Sequence, residues 1–451
     1  MHPVFCKTTL CLILTISILA PSAGAVVCNG APEAAWLGID PPIAPQPYAL
    51  PAGPNVITVS TTAELQAALA WNTHRNHIQL DIILNDGIYE STDLDNGRYL
   101  RLYGSHRLWA ANLGGAVLKF GIDAGGNNAD PSAGGPKYYD AGAEFHGLVF
   151  DIESGSYAPW YPDGDPESVD SYALINWGDS QAVRVEDCWF FGHGEIGRGV
   201  AIASPEAFVG RRLVIDGFRV FGIGVLELDA SAPDLATPAQ LSDLTVTDID
   251  DPVNEPEWAE GGIWLAATGS LERAYVRDTH RYGVLTGGNL RGGIVRDVDV
   301  DQIGDAALDG VGIYLENTTV GTSVSEFCVG PATRWGVRSE WDHFDSTIPF
   351  DPVTMFPRGI DNTVHHGLIE ASFIGVWFDQ GTVNSAVHHC IFRNYNWAAV
   401  AFNHNVATLA DWPDWMLAPG GWAAGNAYLE PAACGQVRDQ HPNNTNNPVC
   451  E

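Results

Sequence analysis

A short strand motif recurs along the second half of this chain: glycine, an apolar residue, any residue, then usually a second apolar residue. It reads GVAI at 199, GVLE at 224, GIWL at 262, GVLT at 283, GIYL at 312, GVRS at 336, GVWF at 375 and AVAF at 399. The steps are 25, 38, 21, 29, 24, 39 and 24 residues. The short steps define a coil of 21 to 25 residues, and the long ones carry insertions such as DDPVNEPEWAEG and WDHFDSTIPFDPVTMFPRG. A unit this small, built of strands, cannot bury its apolar face alone, but a stack of such units can. The expected fold is therefore all-β, a parallel solenoid. Leucine-rich repeats share the period but require recurring leucine and asparagine, and a propeller needs a period of about 40 with four strands per unit.

Before the repeats, ITVSTTAELQAALA places a strand at Ile57 to Val59, with Thr61 as N-cap and Glu64 three residues later. That is a capping box, and Leu65, Ala68 and Leu69 form one apolar face of the short helix that follows. DIILNDGIYE returns to strand. The opening helix and strand, with coils such as VRVEDCWFFGHGEIGRGVAIAS and AVHHCIFRNYNWAAVAFNHN, resemble the right-handed parallel β-helix proteins of the pectin-lyase-like superfamily. The resemblance covers most of residues 55 to 405 and implies a single right-handed parallel β-helix closed at its N-terminal end by the helix near Thr62. It also implies that the glycine-led strands line a substrate groove, as in many members. The superfamily includes polysaccharide lyases, polygalacturonases, epimerases, phage tailspikes and adhesins, so activity must be argued from the site.

Alternation along the glycine-led strands sends Val200, Ile263, Val284, Ile313, Val337, Val376 and Val400 inward, a β-branched stack suited to a solenoid core. The outward ladder is Ala201, Leu226, Trp264, Leu285, Tyr314, Arg338, Trp377 and Ala401. Two residues further on it continues as Glu316, Glu340, Asp379 and Asn403. Trp377 and Asp379 are then expected on the solvent face, as one rung of a groove. The rings of Trp264, Tyr314 and Trp377 would stack on sugar faces, and Arg338, Glu340, Asp379 and Glu316 are the candidate catalytic residues. Stacked parallel strands lie about 4.8 Å apart, so like charges on adjacent rungs repel and call for a cation, an arginine or a shared proton. The bland alternative is that these aromatics pack beneath an inserted loop, the segment after Trp341 being one candidate, and that the carboxylates are a solvated stripe.

Other motifs carry less. VHHG at 364 and VHHC at 387 fall one coil apart and could pair histidines on adjacent strands, but a zinc site needs a third ligand that the sequence does not place. GHG at 192 to 194 resembles a polygalacturonase signature without the paired aspartates and the downstream Arg-Ile-Lys that accompany it. After Lys7 only Lys119 and Lys137 remain as lysines, both ahead of the repeats, so a lysine and arginine lyase pair has no lysine at the groove. An arginine base at Arg338 would need unusual help to lose a proton, so an aspartate and glutamate pair fits acid and base roles better.

The formal charge of −33 makes nucleic acid a poor partner. A solvated acidic surface explains the charge, with calcium as the candidate cation and no cofactor otherwise implied. Lys7, the apolar run from Leu10 to Ala20 and Ala23-Gly24-Ala25 read as a secretory signal over residues 1–25, and no other run is long enough to span a membrane. The expected product is a secreted monomer, extracellular, periplasmic or at the cell surface. Residues 26–54 form a Pro/Ala-rich lead-in, 55–405 the β-helix and 406–451 a C-terminal cap and tail. Of Cys28, Cys188, Cys328, Cys390, Cys434 and Cys450, the last two flank an Asn-rich tail and are the expected disulfide. Cys328 and Cys390, read as equivalent positions two coils apart, lie roughly 9.6 Å from each other on that register and are expected as buried free thiols. The function these features favour is binding and cleavage of an extracellular or cell-wall polysaccharide, by a lyase or glycoside hydrolase mechanism. The alternative is a non-catalytic adhesin or structural glycan-binding β-helix.

Overall fold

The computed structural model describes residues 39–72, 79–94, 99–102, 106–124, 142–153, 158–159, 171–176, 182–202, 207–225, 237–250, 261–266, 269–287, 292–304, 310–316, 319–340, 359–379, 382–395, 397–402, 421–424, 426–428, 437–439 and 445–446. Among these, 29 strands join in one continuous sheet that winds around a central axis, a parallel β-helix. Each coil contributes strands to three faces. The first face runs through Asp81–Leu84, Arg107–Ala110 and Glu144–His146 to Ala386–His388 and Trp422–Ala424. The second runs through Gly87–Tyr89, Ala116–Leu118 and Val149–Asp151 to Ile391–Arg393. The third is the glycine-led face, from Tyr99–Arg101 through Ser171–Asn176, Gly261–Leu265, Tyr282–Thr286 and Val311–Glu316 to Ala398–Phe402.

The repeated glycine has a steric cause. A Cβ on Gly262 would lie 2.3 Å from Val276, on Gly283 2.3 Å from Val300, and on Gly336 2.3 Å from Ile369, each a core residue of the next coil's second face. The third face can therefore approach the second only where its strand begins without a side chain. The inward residues Val200, Ile263, Val284, Ile313, Val337, Val376 and Val400 are all fully buried, as the alternation requires. One register differs. Val200 pairs with Ile223 and Ala201 with Gly224, so Gly222 leads that strand and Gly224, not Leu226, fills the outward rung. The segment GIGV offers two glycines two residues apart, and only the pairing selects between them.

At the N-terminal end the helix Thr62–Asn72 buries Leu65 and Leu69 against the first coils. Thr61 Oγ1 accepts the Glu64 N–H at 3.2 Å, and the Glu64 carboxylate reaches back to the Ser60 N–H at 2.7 Å, one residue beyond the cap. At the other end, strands Val437–Asp439 and Thr445–Asn446 still pair in parallel register, so coils extend past residue 405.

Residues 39–54 of the lead-in have no core of their own and are held along the solenoid. Between the first and second faces each coil from Asp187 to His389 turns through one residue at positive φ: Asp187, Arg212, Asp243, Arg273, Asp297, Glu326, His366 and His389, all between 52° and 58°. This corner column alternates charge over its first five rungs. Arg212 clasps Asp187 and Arg273 clasps Asp243, each through Nε and Nη2. The Oδ1 atoms of the aspartates also accept backbone N–H groups of the lead-in: Gln46 on Asp187 at 2.7 Å, Ile43 on Asp243 at 3.2 Å and Asp40 on Asp297 at 3.4 Å. Tyr48 anchors one end on the Ala110 and His146 carbonyls, and Ile39 packs at the other on Cys328, Leu368 and Ile391. An extended chain can be held this way because the carboxylates recur at every second rung of a fixed column.

The cysteines follow the same geometry. Cys328 aligns with Leu368 and Ile391, not with Cys390, and faces outward, whereas Cys390 faces the core. Cys328 is disulfide-bonded, which corrects the expectation of a free thiol there. Cys188 and Cys390 are the free, buried thiols among the described residues. Cys188 follows the corner residue Asp187, as Cys390 follows His389, and burial pushes the Cys390 thiol up to about 12. Cys28, Cys434 and Cys450 lie outside the described residues, as do the signal segment and Asn403.

Candidate active site on the third face

The outer surface of the third face carries two ladders. The first, expected from alternation, is Ala201, Gly224, Trp264, Leu285, Tyr314, Arg338, Trp377 and Ala401 in unbroken register. The second lies one residue before each leading glycine: Tyr172, Arg198, Phe221, Gly261, Tyr282, Val311, Trp335, Ile374 and Ala398. Sequence reasoning missed this ladder because it began each strand at the glycine. The signal was the aromatic or arginine immediately before it, in YGVL, RWGVR and GRGVA.

Together the ladders make a strip of rings. Tyr282 stacks on Tyr314 at 5.1 Å, Trp335 tilts against Trp377 at 5.8 Å, and Trp264 meets Phe221 edge-on at 6.0 Å. Arg338 sits at the centre of the strip. Its guanidinium carbon lies 4.6 Å from the Trp335 ring, 4.6 Å from the Trp377 ring and 5.7 Å from the Tyr314 ring, while Nη2 is 3.8 Å from Asp379 Oδ2. A planar cation among three π-faces and a carboxylate is held by both cation–π attraction and charge. Further along, Arg198 repeats the arrangement in miniature, bonded to the Tyr172 hydroxyl at 2.7 Å and over the Phe221 ring at 5.3 Å.

The backbone sets the expected acidic residues on consecutive rungs. Glu316 pairs in register with Glu340, and the Asp379 N–H donates to the Ser339 carbonyl at 2.8 Å, so Asp379 follows on the next rung. The Glu316 side chain is partly exposed and reaches towards Gly287, where an added Cβ would meet Oε2 at 2.7 Å. One expectation fails. Trp377 and Asp379 are not on a solvent face: Trp377 is 4% exposed, Tyr314 2% and Asp379 1%. Trp264 is the partly exposed ring of the three expected to bind sugar. The indole N–H groups of Trp264, Trp335 and Trp377 are buried and have no hydrogen-bond partner among the described residues. A buried donor without an acceptor is disfavoured by about 1–3 kcal/mol, so this strip presents unmet hydrogen-bonding capacity beside apolar area. The segment after Trp341 lies outside the described residues.

The histidine motifs do meet. His365 and His388 pair in register on the first face and stack at 5.0 Å, and His366 stacks on His389 at the corner at 5.2 Å. Burial first, then the neighbouring imidazoles, hold His365 below the usual histidine range and bring His388 down to about 4. On the second face Asp299 is 4% exposed, and burial with the nearby Asp301 charge raises its pKa to about 7. Among the described residues no group of three or more His, Cys, Asp or Glu side chains converges as a metal site. His193, from GHG, instead bonds Asp151 at 2.5 Å, which also holds Lys119 at 2.8 Å.

No protein-family model matches this sequence, and no curated protein is similar to it. Solved structures are. A GH136 lacto-N-biosidase from Eubacterium ramulus aligns with a TM-score of 0.50 at 10% identity, over 83% of this chain and 67% of its own. The catalytic unit of a GH87 alpha-1,3-glucanase from Streptomyces thermodiastaticus gives 0.45 at 11% identity, over 86% and 71%. A mannuronic acid specific polysaccharide family 6 lyase from human gut microbiota gives 0.44 at 10% identity, over 83% and 82%. Likeness at this identity concerns the fold alone. The protein has a right-handed parallel β-helix fold, as the resemblance implied. No described helix is long and apolar enough to cross a membrane.

Proposed function

We propose that this protein is a secreted carbohydrate-active enzyme that binds a polysaccharide along the outer third face and cleaves it at the carboxylate stack. The observation that carries the proposal is the register of Glu316, Glu340 and Asp379 on consecutive rungs, beside Arg338 and its ring of aromatics. Carboxylates on adjacent rungs share a proton more readily than two charges, which supplies a general acid and a general base within one site. Arg338 and Asp379 orient the site, while Glu316 and Glu340 carry the proton transfers. The net charge of −33 opposes the approach of a polyanion, which favours a neutral glycan and hydrolysis over a polyuronate and elimination. Trp264, the partly exposed ring, supplies a face for a sugar, with Tyr314 and Trp377 packed behind it in the strip. The carboxylate separation sets inversion or retention.

A second reading has its own support: the burial of Trp377, Tyr314 and Asp379 favours a non-catalytic glycan-binding or adhesive β-helix. Incubating the native protein and Glu340→Gln with a panel of neutral and uronate glycans separates the two, with reducing ends and unsaturated products read independently. New reducing ends from the native protein, lost in Glu340→Gln, support hydrolysis. Unsaturated products reassign it to elimination. Binding without any product replaces the enzyme with the binding module.

A further inference from the structure

The four histidines of VHHG and VHHC play no part in the third face, yet they form a regular polar cluster. In each coil the two adjacent imidazoles turn Nδ1 towards Nδ1, at 2.8 Å between His365 and His366 and 2.9 Å between His388 and His389. One pair repeats the other a rung away, so this is a property of the coil and not of one rotamer. The corner conformation is the reason: His366 and His389 adopt positive φ of 52° and 55°, which swings each side chain back across its predecessor on the first face. His366 and His389 are exposed, so both pairs open to solvent.

We propose that each pair is a two-nitrogen site for a divalent transition-metal ion of the copper type. With metal–nitrogen bonds of about 2.0–2.1 Å, donors 2.8 to 2.9 Å apart subtend an angle near 90° at the ion. That is the cis angle of a tetragonal ion such as Cu2+ or Ni2+ and is too tight for tetrahedral zinc. Solvent completes the coordination, consistent with two protein donors per ion. Outer support is present on the His365 ring, where Ser323 Oγ lies 3.1 Å from Nε2 and can accept its N–H when Nδ1 binds the metal. His388 is held by Trp422, whose ring lies flush on it at 5.3 Å and 2°. Glu326 occupies the same corner one rung earlier and adds a favourable charge.

Two dications about 5 Å apart repel, so the second ion binds more weakly than the first. The test is a titration of the full-length, EDTA-stripped protein with CuCl2 against glycine as a competing chelator, followed by electron paramagnetic resonance and tryptophan fluorescence. The native protein should take up two equivalents, the second at least about tenfold weaker, with a two-nitrogen signature and quenching that Trp422→Phe reduces. His366→Ala and His389→Ala alter exposed side chains and should each lose one equivalent, and the double variant both, with melting unchanged. Unaltered uptake by the double variant, or a native spectrum without nitrogen coordination, overturns the proposal. A single equivalent lost equally in both variants assigns one shared ion and overturns the two-site arrangement.

Discussion

Two columns of charged residues run along this solenoid, and they are built on opposite principles. At the corner between the first and second faces the sign alternates, Asp187, Arg212, Asp243, Arg273, Asp297, and the aspartates also accept the backbone of the lead-in. On the third face Glu316, Glu340 and Asp379 share one sign, with Arg338 one strand position away among aromatic rings. Rungs about 4.8 Å apart set opposite charges side by side in the first column and three acidic residues in succession in the second. A column that pairs its own charges is explained by stability. An acidic run beside buried indole donors that have no acceptor among the described residues is not explained by pairing within the column.

The largest expected effect lies in the acidic column. Glu340→Gln should lower kcat by about 1000-fold on a cleaved glycan, within the range for loss of a general acid or base, while glycan affinity and melting temperature stay near native. Steady-state kinetics with calorimetric binding read both. A comparable loss of stability instead would move that column into the same category as the corner.

The corner should respond the other way. The Asp243 side chain is fully buried and holds Arg273 and the Ile43 N–H, so Asp243→Ala should lower unfolding stability by about 3 kcal/mol. Chemical denaturation measures it, and the same variant should leave kcat unchanged. If Asp243→Ala were as stable as native, the lead-in would be an adherent strap and not a part of the fold.

The pH dependence sharpens the contrast between faces. Asp299, raised to about 7 by burial, contributes stability that is present below the ordinary carboxylate range and is lost as pH rises through 7. Asp299→Asn should therefore stabilise the protein at pH 8 by roughly 2 kcal/mol and hardly at all at pH 4. His388, lowered to about 4, acts oppositely: its neutral form favours the native state above the ordinary histidine value, and that advantage is lost as pH falls towards 4. Melting curves of His388→Gln and native protein between pH 4 and 8 should converge at low pH. A native curve that does not fall on the acid side removes the imidazole contribution.

The smallest effect is chemical. Cys188 and Cys390 are fully buried with thiols pushed up by burial, so alkylation should label neither before unfolding, and Cys328 should appear in a disulfide peptide. The partner found with Cys328 also decides whether the Cys434 to Cys450 pairing expected from the tail stands.

The fold was legible because it is written in one short-range rule, repeated. A glycine that avoids the next coil's valine, then β-branched residues facing inward, fixes strand identity, face and stacking without knowledge of any distant contact, and GIWL, GVLT and GIYL all fell into place. The rule slipped where the sequence offered two glycines two residues apart, and at Cys390, one position off the Cys328 rung, because register across coils is set by pairing. The register of Glu316, Glu340 and Asp379 on consecutive rungs followed from the same rule, since backbone pairing carries it.

Burial on the outer face did not follow. Alternation says only that Trp377 and Asp379 point away from the core. Whether that direction meets water depends on what else the chain lays there, and the 1% exposure of Asp379 is a tertiary fact. The corner column was equally hidden. Asp187, Asp243 and Asp297 look like ordinary surface acids in the sequence, far from a proline-rich segment around Gln46. Only the winding of the coils sets them at every second rung, at the spacing an extended backbone needs to hydrogen-bond along them. The sequence determined the repeating unit, because that unit is held by contacts within a coil and to its neighbour. The tertiary structure decided the seam and the covered face, because these arise where segments distant along the chain are brought to the same rung.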